Sequence, residues 1–206
     1  MSENAWVVPL ILQGERIRLE PLAAHHAAGL SDAASDELFR FFAGYKPEHG
    51  DIGATEAYID NVNSQPDKVA FAIVDQSSGR AIGATSYMEI RSSHRGLEIG
   101  STWLGALHQG SAANPEAKLL LLRHAFEVLG AVRVQFRTDM RNLHSQKAIE
   151  KLGAVKEGIL RKHTIMSDGF IRDSVYYSIV ADDWPVVSSR LRKRLISLGL
   201  PHYTLD

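Results

Sequence analysis

Two periodicities alternate along the chain. From Leu10 to Leu22, LILQGERIRLEPL alternates after Gly14, with Ile17 and Leu19 on one side and Arg16, Arg18 and Glu20 on the other. That spacing predicts a strand stopped by Pro21. Residues 23–42 carry helical spacing in two pieces broken near Gly29, and another helix is expected over Ala54 to Val62. VAFAIVD and AIGATSYMEI flank the turn-forming QSSGR and predict a hairpin; GLEIGSTWL, residues 96–104, predicts the next strand. The loop GALHQGSAAN leads into PEAKLLLLRHAFEVLG, a helix expected to have Asn114 as N-cap, Pro115 at its first position and Gly130 past its end. Then come strand VRVQFRTD, a short helix from Leu143 to Leu152 closed by Gly153, and strands AVKEGILR and RDSVYYSIV around the turn MSDG. A charged amphipathic helix, DDWPVVSSRLRKRLISL, ends the pattern.

The order β-α-α-β-β-β-α-β-α-β-β-α describes a mixed α/β fold with a single central sheet and flanking helices. With 206 residues, one domain is expected over 1–206, with a loose tail at 1–8 and a C-terminal helix at 182–198. A hydrophobic share of 45% is enough for a core that needs no covalent staple. The net charge of -1 and a pI near 6.8 argue against a globally basic nucleic-acid binder, so no nucleic-acid partner is expected. No run approaches the roughly 18 apolar residues of a membrane span, and the first residues carry no basic leader; a cytoplasmic protein without a membrane partner is expected. A homodimer is compatible with the sequence. Cysteine is absent, which rules out disulfides, cysteine metal sites and an acyl-cysteine intermediate.

The chemistry is concentrated in WLGALHQGSAANPEAKLLLL, residues 103–122. A strand ends, small residues follow, and a buried helix begins. Helix N-termini present unpaired N–H groups and partial positive charge, and Gly110, Ser111, Ala112 and Ala113 are too small to keep an anion away. The same pattern also describes an ordinary capped strand-to-helix loop. No G-x-x-x-x-G-K-[ST] and no G-x-G-x-x-G occurs, so nucleoside triphosphates and dinucleotides are not the expected ligand.

Here the chain resembles the GNAT superfamily of N-acetyltransferases, and within it the RimJ/RimL-like branch. The resemblance spans roughly residues 10–185 and rests on EIGSTWL with HQGSAANPEAKLLLL, on RTDMRNLHSQKAIEKLGAVKEGILRKH, and on DGFIRDSVYYSIVADDWP. The family's pyrophosphate loop, Q/R-x-x-G-x-G/A, corresponds to Leu107-His108-Gln109-Gly110-Ser111-Ala112; Leu107 departs from it at the first position. The resemblance implies acetyl-CoA lying between two splayed parallel strands, 97–104 and 132–138. Its pantetheine arm would follow the backbone at Trp103, Leu104 and Gly105, and its pyrophosphate would sit on amides from Gln109 through Gly110, Ser111, Ala112 and Ala113 to Asn114. It also implies a pantetheine contact from Asn142 and a contact to the CoA sulfur from Ser145, while Ile149 stands where the family often has an acidic tyrosine. As residues, Asn142 and Ser145 read equally as helix caps.

Acyl transfer to an amine requires an ammonium to lose a proton. An α-amine titrates near about 8 and a lysine near about 10.4, so the former asks less of a base. Glu98 is the candidate base: it opposes Leu97 and Ile99 on its strand, and burial there would raise its pKa. A structural ion pair is the competing reading. The nine histidines form no metal motif, and no metal is expected; His25 and His26 should face different ways on a helix. The expected activity is direct acetyl transfer from acetyl-CoA to a primary amine, either a protein or peptide α-amine or a small amine. The alternatives are a non-catalytic CoA-binding or regulatory module and an interaction protein without CoA affinity. Loops 40–54, 91–96 and 163–170 are expected to shape the acceptor pocket.

Overall fold

The computed structural model describes residues 6–203. The elements are β1 (Leu12–Gln13), β2 (Ile17–Pro21), α1 (Ala27–Ala33), α2 (Ile52–Asn63), β3 (Val69–Asp75), β4 (Ala81–Arg91), β5 (Gly96–Leu104), α3 (Ala113–Arg123), β6 (Arg133–Asp139), α4 (Leu143–Leu152), β7 (Val155–Ile165), β8 (Ile171–Val180) and α5 (Trp184–Ser197). All strands join one sheet in the order β1-β2-β3-β4-β5-β6-β8-β7, and β5–β6 is its parallel pair. The mixed α/β architecture with flanking helices is the expected one.

Helices cover both faces, which explains why VAFAIVD in β3 is apolar throughout. Phe71 and Ile73 enter the core shared with α3 and α5, while Ala70, Ala72 and Val74 face α1 and α2. Helix α3 is buried nearly all round, so LLLL is not an amphipathic stripe but a helix enclosed by the sheet and α5. Truncating Leu120 to alanine there costs about 2–5 kcal/mol.

Four expectations are corrected. The segment 10–22 is a hairpin of two strands, not one strand. Its turn is built around the carboxylate of Glu116, which accepts from the amides of Glu15 (2.6 Å), Arg16 (3.2 Å) and Ile17 (2.9 Å) and from the Tyr203 hydroxyl (2.6 Å). A Cβ on Gly14 would lie 2.7 Å from that carboxylate, so the turn closes only with glycine. Helix α1 runs through Gly29 and stops at Ala34, whose backbone is extended. Helix α3 begins at Ala113, so Asn114 lies inside the first turn rather than capping it. The expected tail falls partly outside the described residues, but Val7 is buried and Trp6 Nε1 donates to the carbonyl of Leu129 (2.9 Å), so residues 6 and 7 are docked.

Candidate active site

Strands β5 and β6 pair for only three residues: Gly96 with Arg133, Leu97 with Val134, and Glu98 with Gln135. Past Glu98 the two strands part. Ser86 on β4 faces Gly100, yet Ala84 faces Trp103, so β5 holds one extra residue and bends there, with Ser101 at φ 49°. The opening is a cavity of about 530 Å³ lined by both strands, α3 and α4, of the size that holds a small-molecule ligand.

At the α3 end, Leu104, Gln109, Gly110 and Asn114 line this cavity. Gly110 has φ 71°, a left-handed conformation that disfavours other residues, and a Cβ there would meet no atom within 4 Å. The Ser111 hydroxyl donates to the His108 carbonyl (2.7 Å) and accepts from the Ala113 amide (3.2 Å), while Ala112 holds the N-cap position without a side-chain cap. The amides of Gly110, Ser111, Ala112 and Asn114 find no acceptor among the described residues. Asn114 Oδ1 is buried without a hydrogen-bond partner. Ala112 and Ala113 point into the core, and Leu107 is 95% exposed. Unpaired amides and open space at Gly110 fit an anionic ligand at this helix start.

At the other end stands Glu98, 2% exposed. Gln135 Nε2 donates to its Oε2 (3.0 Å), and Arg137 Nη2 lies 3.5 Å from its Oε1. Burial raises its pKa against the pull of Arg137 and Gln135. The candidate base and the ion-pair reading therefore coexist in one residue. On α4, Asn142 caps the helix by accepting from the Ser145 amide (3.0 Å), and both residues line the cavity. The Ser145 hydroxyl makes no hydrogen bond among the described residues, which leaves it available to the cavity. Ile149 is buried and places an apolar side chain where an acid could have stood.

Several groups in the cavity carry no signal of their own in the sequence. Lys118 on α3 is buried and donates to Thr102 Oγ1 (2.6 Å), which also meets Thr85 Oγ1 (2.8 Å). Burial lowers its pKa to about 7. Lys68 reaches Ser101 Oγ (3.3 Å), and Arg172 lines the wall near Phe41 and Arg137. Of the three loops expected to shape an acceptor pocket, 40–54 contributes Phe41 to Tyr45; 91–96 and 163–170 contribute nothing to this cavity. Further wall comes from Leu38, from α2, from Gln65 and Lys68, and from Met88 on β4.

Away from the cavity, His25 and His26 do not face different ways: both approach Glu20, at 3.7 and 3.1 Å. Residues 24–26 form a 3-10 turn rather than an α-helix, and the two ring centroids lie 3.9 Å apart. The Glu20 carboxylate is already paired with Arg18, and His26 Nδ1 accepts from the Ala23 amide, so the cluster is satisfied by its own hydrogen bonds.

Residues 16–155 match the Acetyltransferase (GNAT) domain family, and the chain belongs to it. A solved structure from T. thermophilus, named as an acetyltransferase, is 42% identical over 92% of this chain and 99% of that one, with a TM-score of 0.85. A GCN5-related N-acetyltransferase from Brucella melitensis is 29% identical, covers 92% of this chain and 86% of its own, and superposes with a TM-score of 0.86. The Bacillus subtilis (strain 168) protein called Probable N-acetyltransferase YjcK is 28% identical over 84% of this chain and 98% of its own length. The protein is an acetyltransferase by family, and enzymes of the GNAT fold use acetyl-CoA as co-substrate. No helix among the described residues is long and apolar enough to cross a membrane.

Proposed function

We propose that this chain, acting as one domain over its 206 residues, transfers an acetyl group from acetyl-CoA to a primary amine without a covalent enzyme intermediate. The observation that carries this reading is the continuous cavity that joins the unpaired amides of the α3 start to the buried carboxylate of Glu98 through the β5–β6 gap. The amides of Gly110, Ser111, Ala112 and Asn114 hold the pyrophosphate, and the unpartnered edge of β5 from Ile99 to Leu104 receives the pantetheine arm. Glu98 takes the proton from the acceptor ammonium. The freed amine attacks the thioester carbonyl, the carbon–sulfur bond breaks, and the proton shed by the new amide nitrogen goes to the CoA sulfur, which leaves as the thiol beside the Ser145 hydroxyl.

The resemblance of RTDMRNLHSQKAIEKLGAVKEGILRKH to the RimJ/RimL-like branch supports an acceptor amine on a protein, a peptide or a small molecule. Release of CoA thiol from acetyl-CoA across a panel of amines tests the reading, and the cysteine-free chain adds no background to thiol detection. Mass spectrometry after incubation with acetyl-CoA alone should show no acetyl-enzyme able to discharge to added amine. CoA binding without turnover on any amine would favour the non-catalytic module instead.

A further inference from the structure

We propose that the acceptor amine carries a carboxylate of its own, and that Arg172, assisted by Lys68, is the specificity-determining group that receives it. The proposal rests on the acetyl-transfer reading of the same cavity.

The argument is one of charge pairing along the cavity wall. Two carboxylates line it, and each has a cationic partner: Glu98 lies 3.5 Å from Arg137, and Asp139 is held by Arg141 at 2.8 Å. Lys118, deeper under β5, is held by Thr102. Arg172 and Lys68 remain, and neither has a carboxylate within 4.0 Å among the described residues.

Arg172 is 8% exposed, so its charge is largely removed from water. Nε donates to Ser174 Oγ (3.2 Å) and Nη1 to the Phe41 carbonyl (3.3 Å), both neutral acceptors, while Nη2 donates to nothing among the described residues. These two bonds fix the guanidinium plane at the cavity and leave donors free for the two-oxygen geometry that a carboxylate offers. A buried guanidinium with no carboxylate in contact is a cost to the fold. Burial and Arg137 oppose its protonation, while Asp139 and Glu98 favour it from beyond contact distance. A ligand oxyanion in contact offsets the burial and the repulsion.

Lys68 supplies a second, partly desolvated cation, and both Lys68 and Arg172 interact electrostatically with Glu98. An acceptor with its ammonium at Glu98 and a carboxylate a few bonds away satisfies all three groups at once. A polyamine would bring further positive charge against Arg172 and Lys68. The carboxylate has two sources: the α-carboxylate of a free amino acid, or the acidic side chain of a peptide's first residue.

The test uses the full chain with acetyl-CoA and reads CoA release for matched pairs. One pair is an α-amino acid and its carboxamide; the other is a dipeptide amide beginning with Asp and its Asn counterpart. Spermidine and a neutral monoamine complete the set. The expected result is that kcat/KM favours the carboxylate member of one pair by about tenfold or more, as a charge-assisted bidentate contact provides. The favoured pair identifies the source.

Arg172→Met should bring the kcat/KM ratio within the favoured pair to about one, mainly through the KM of the carboxylate member. Arg172→Lys should restore part of it. If Arg172→Met does not fold, the wild-type pairs still decide. Equal rates within both pairs, or turnover confined to spermidine and neutral amines, overturns the acceptor proposal and leaves acetyl transfer standing. No CoA release with any amine overturns both.

Discussion

Glu98, at the last paired step of β5 and β6, is approached by Arg137 two residues further along β6, with Arg137 Nη2 3.5 Å from Glu98 Oε1. Burial raises the carboxyl's pKa, and the guanidinium holds that rise in check. A general base must be ionised to act, so activity should fall as pH drops through this raised pKa. Arg137→Met removes the favourable charge and should move the acidic limb of the kcat/KM profile to higher pH. A pH–rate series on both proteins measures this, and an unmoved limb assigns Arg137 no influence on the base.

Glu98→Gln should lower turnover by roughly 10²–10⁴-fold while acetyl-CoA affinity holds. The loss should shrink as pH rises, because the acceptor then deprotonates unaided. Near-full activity across pH would reduce Glu98 to the structural partner of Arg137 and Gln135.

Ser145 offers a contrast. Its hydroxyl has no protein partner among the described residues, whereas its amide is held by Asn142. Ser145→Ala therefore leaves the α4 cap intact and should lower turnover modestly, by about tenfold at most, with no recovery at high pH. A pH-dependent rescue like that of Glu98→Gln would place Ser145 on the proton path instead.

Acetyl-CoA or CoA should raise the melting temperature, because a ligand that binds only the folded chain stabilises it. Gly110→Asp should abolish the shift: the position has space for a side chain, and the new carboxylate repels an anion at the α3 start. The left-handed backbone makes this substitution cost about 1 kcal/mol of basal stability, which the ligand-free melt reports separately. Ala112 is not a clean probe, since it is buried in the core. An undiminished shift in Gly110→Asp would put the pyrophosphate elsewhere.

Lys118 has a folded-state pKa depressed to about 7 by burial. Between pH 7 and the ordinary lysine range the unfolded chain binds the proton that the folded chain does not, so this group's contribution makes stability rise with pH across that window. Lys118→Met removes the term. Its melting temperature relative to wild type should be most favourable at or below pH 7 and decline as pH increases toward 10. A difference independent of pH would mean that the Lys118 ammonium is as well solvated in the fold as in the unfolded chain.

Local features of this protein were legible from the sequence because their causes are local. The alternation in GLEIGSTWL predicts β5 over 96–104, the residues it occupies. Gly153, at φ 98°, ends α4 where the glycine stands after Leu152. The small-residue loop of residues 105–112 runs, as its composition suggests, from the end of β5 to the start of α3, and the mixed sheet follows from the order of elements. Only the tertiary structure decided which groups meet. Glu116 shapes a turn about a hundred positions away by accepting from the Ile17 amide. Trp6 docks on Leu129 although nothing near it predicts an ordered segment. Ala112 takes the N-cap position of α3 in place of Asn114, and the Ser111 hydroxyl accepts from the first helical amide, that of Ala113. Lys118 reads as a polar break in a leucine run, and becomes a desolvated amine only when β5 closes over it at Thr102. Arg137, between Phe136 and Thr138, and Arg172, between Ile171 and Asp173, have nothing in their local sequence that marks a buried arginine. They converge on Glu98 because β6 leaves β5 after three paired residues and pairs with β8 along its length. Strand register and splay are set by long-range pairing, and side-chain periodicity along one strand carries no information about them.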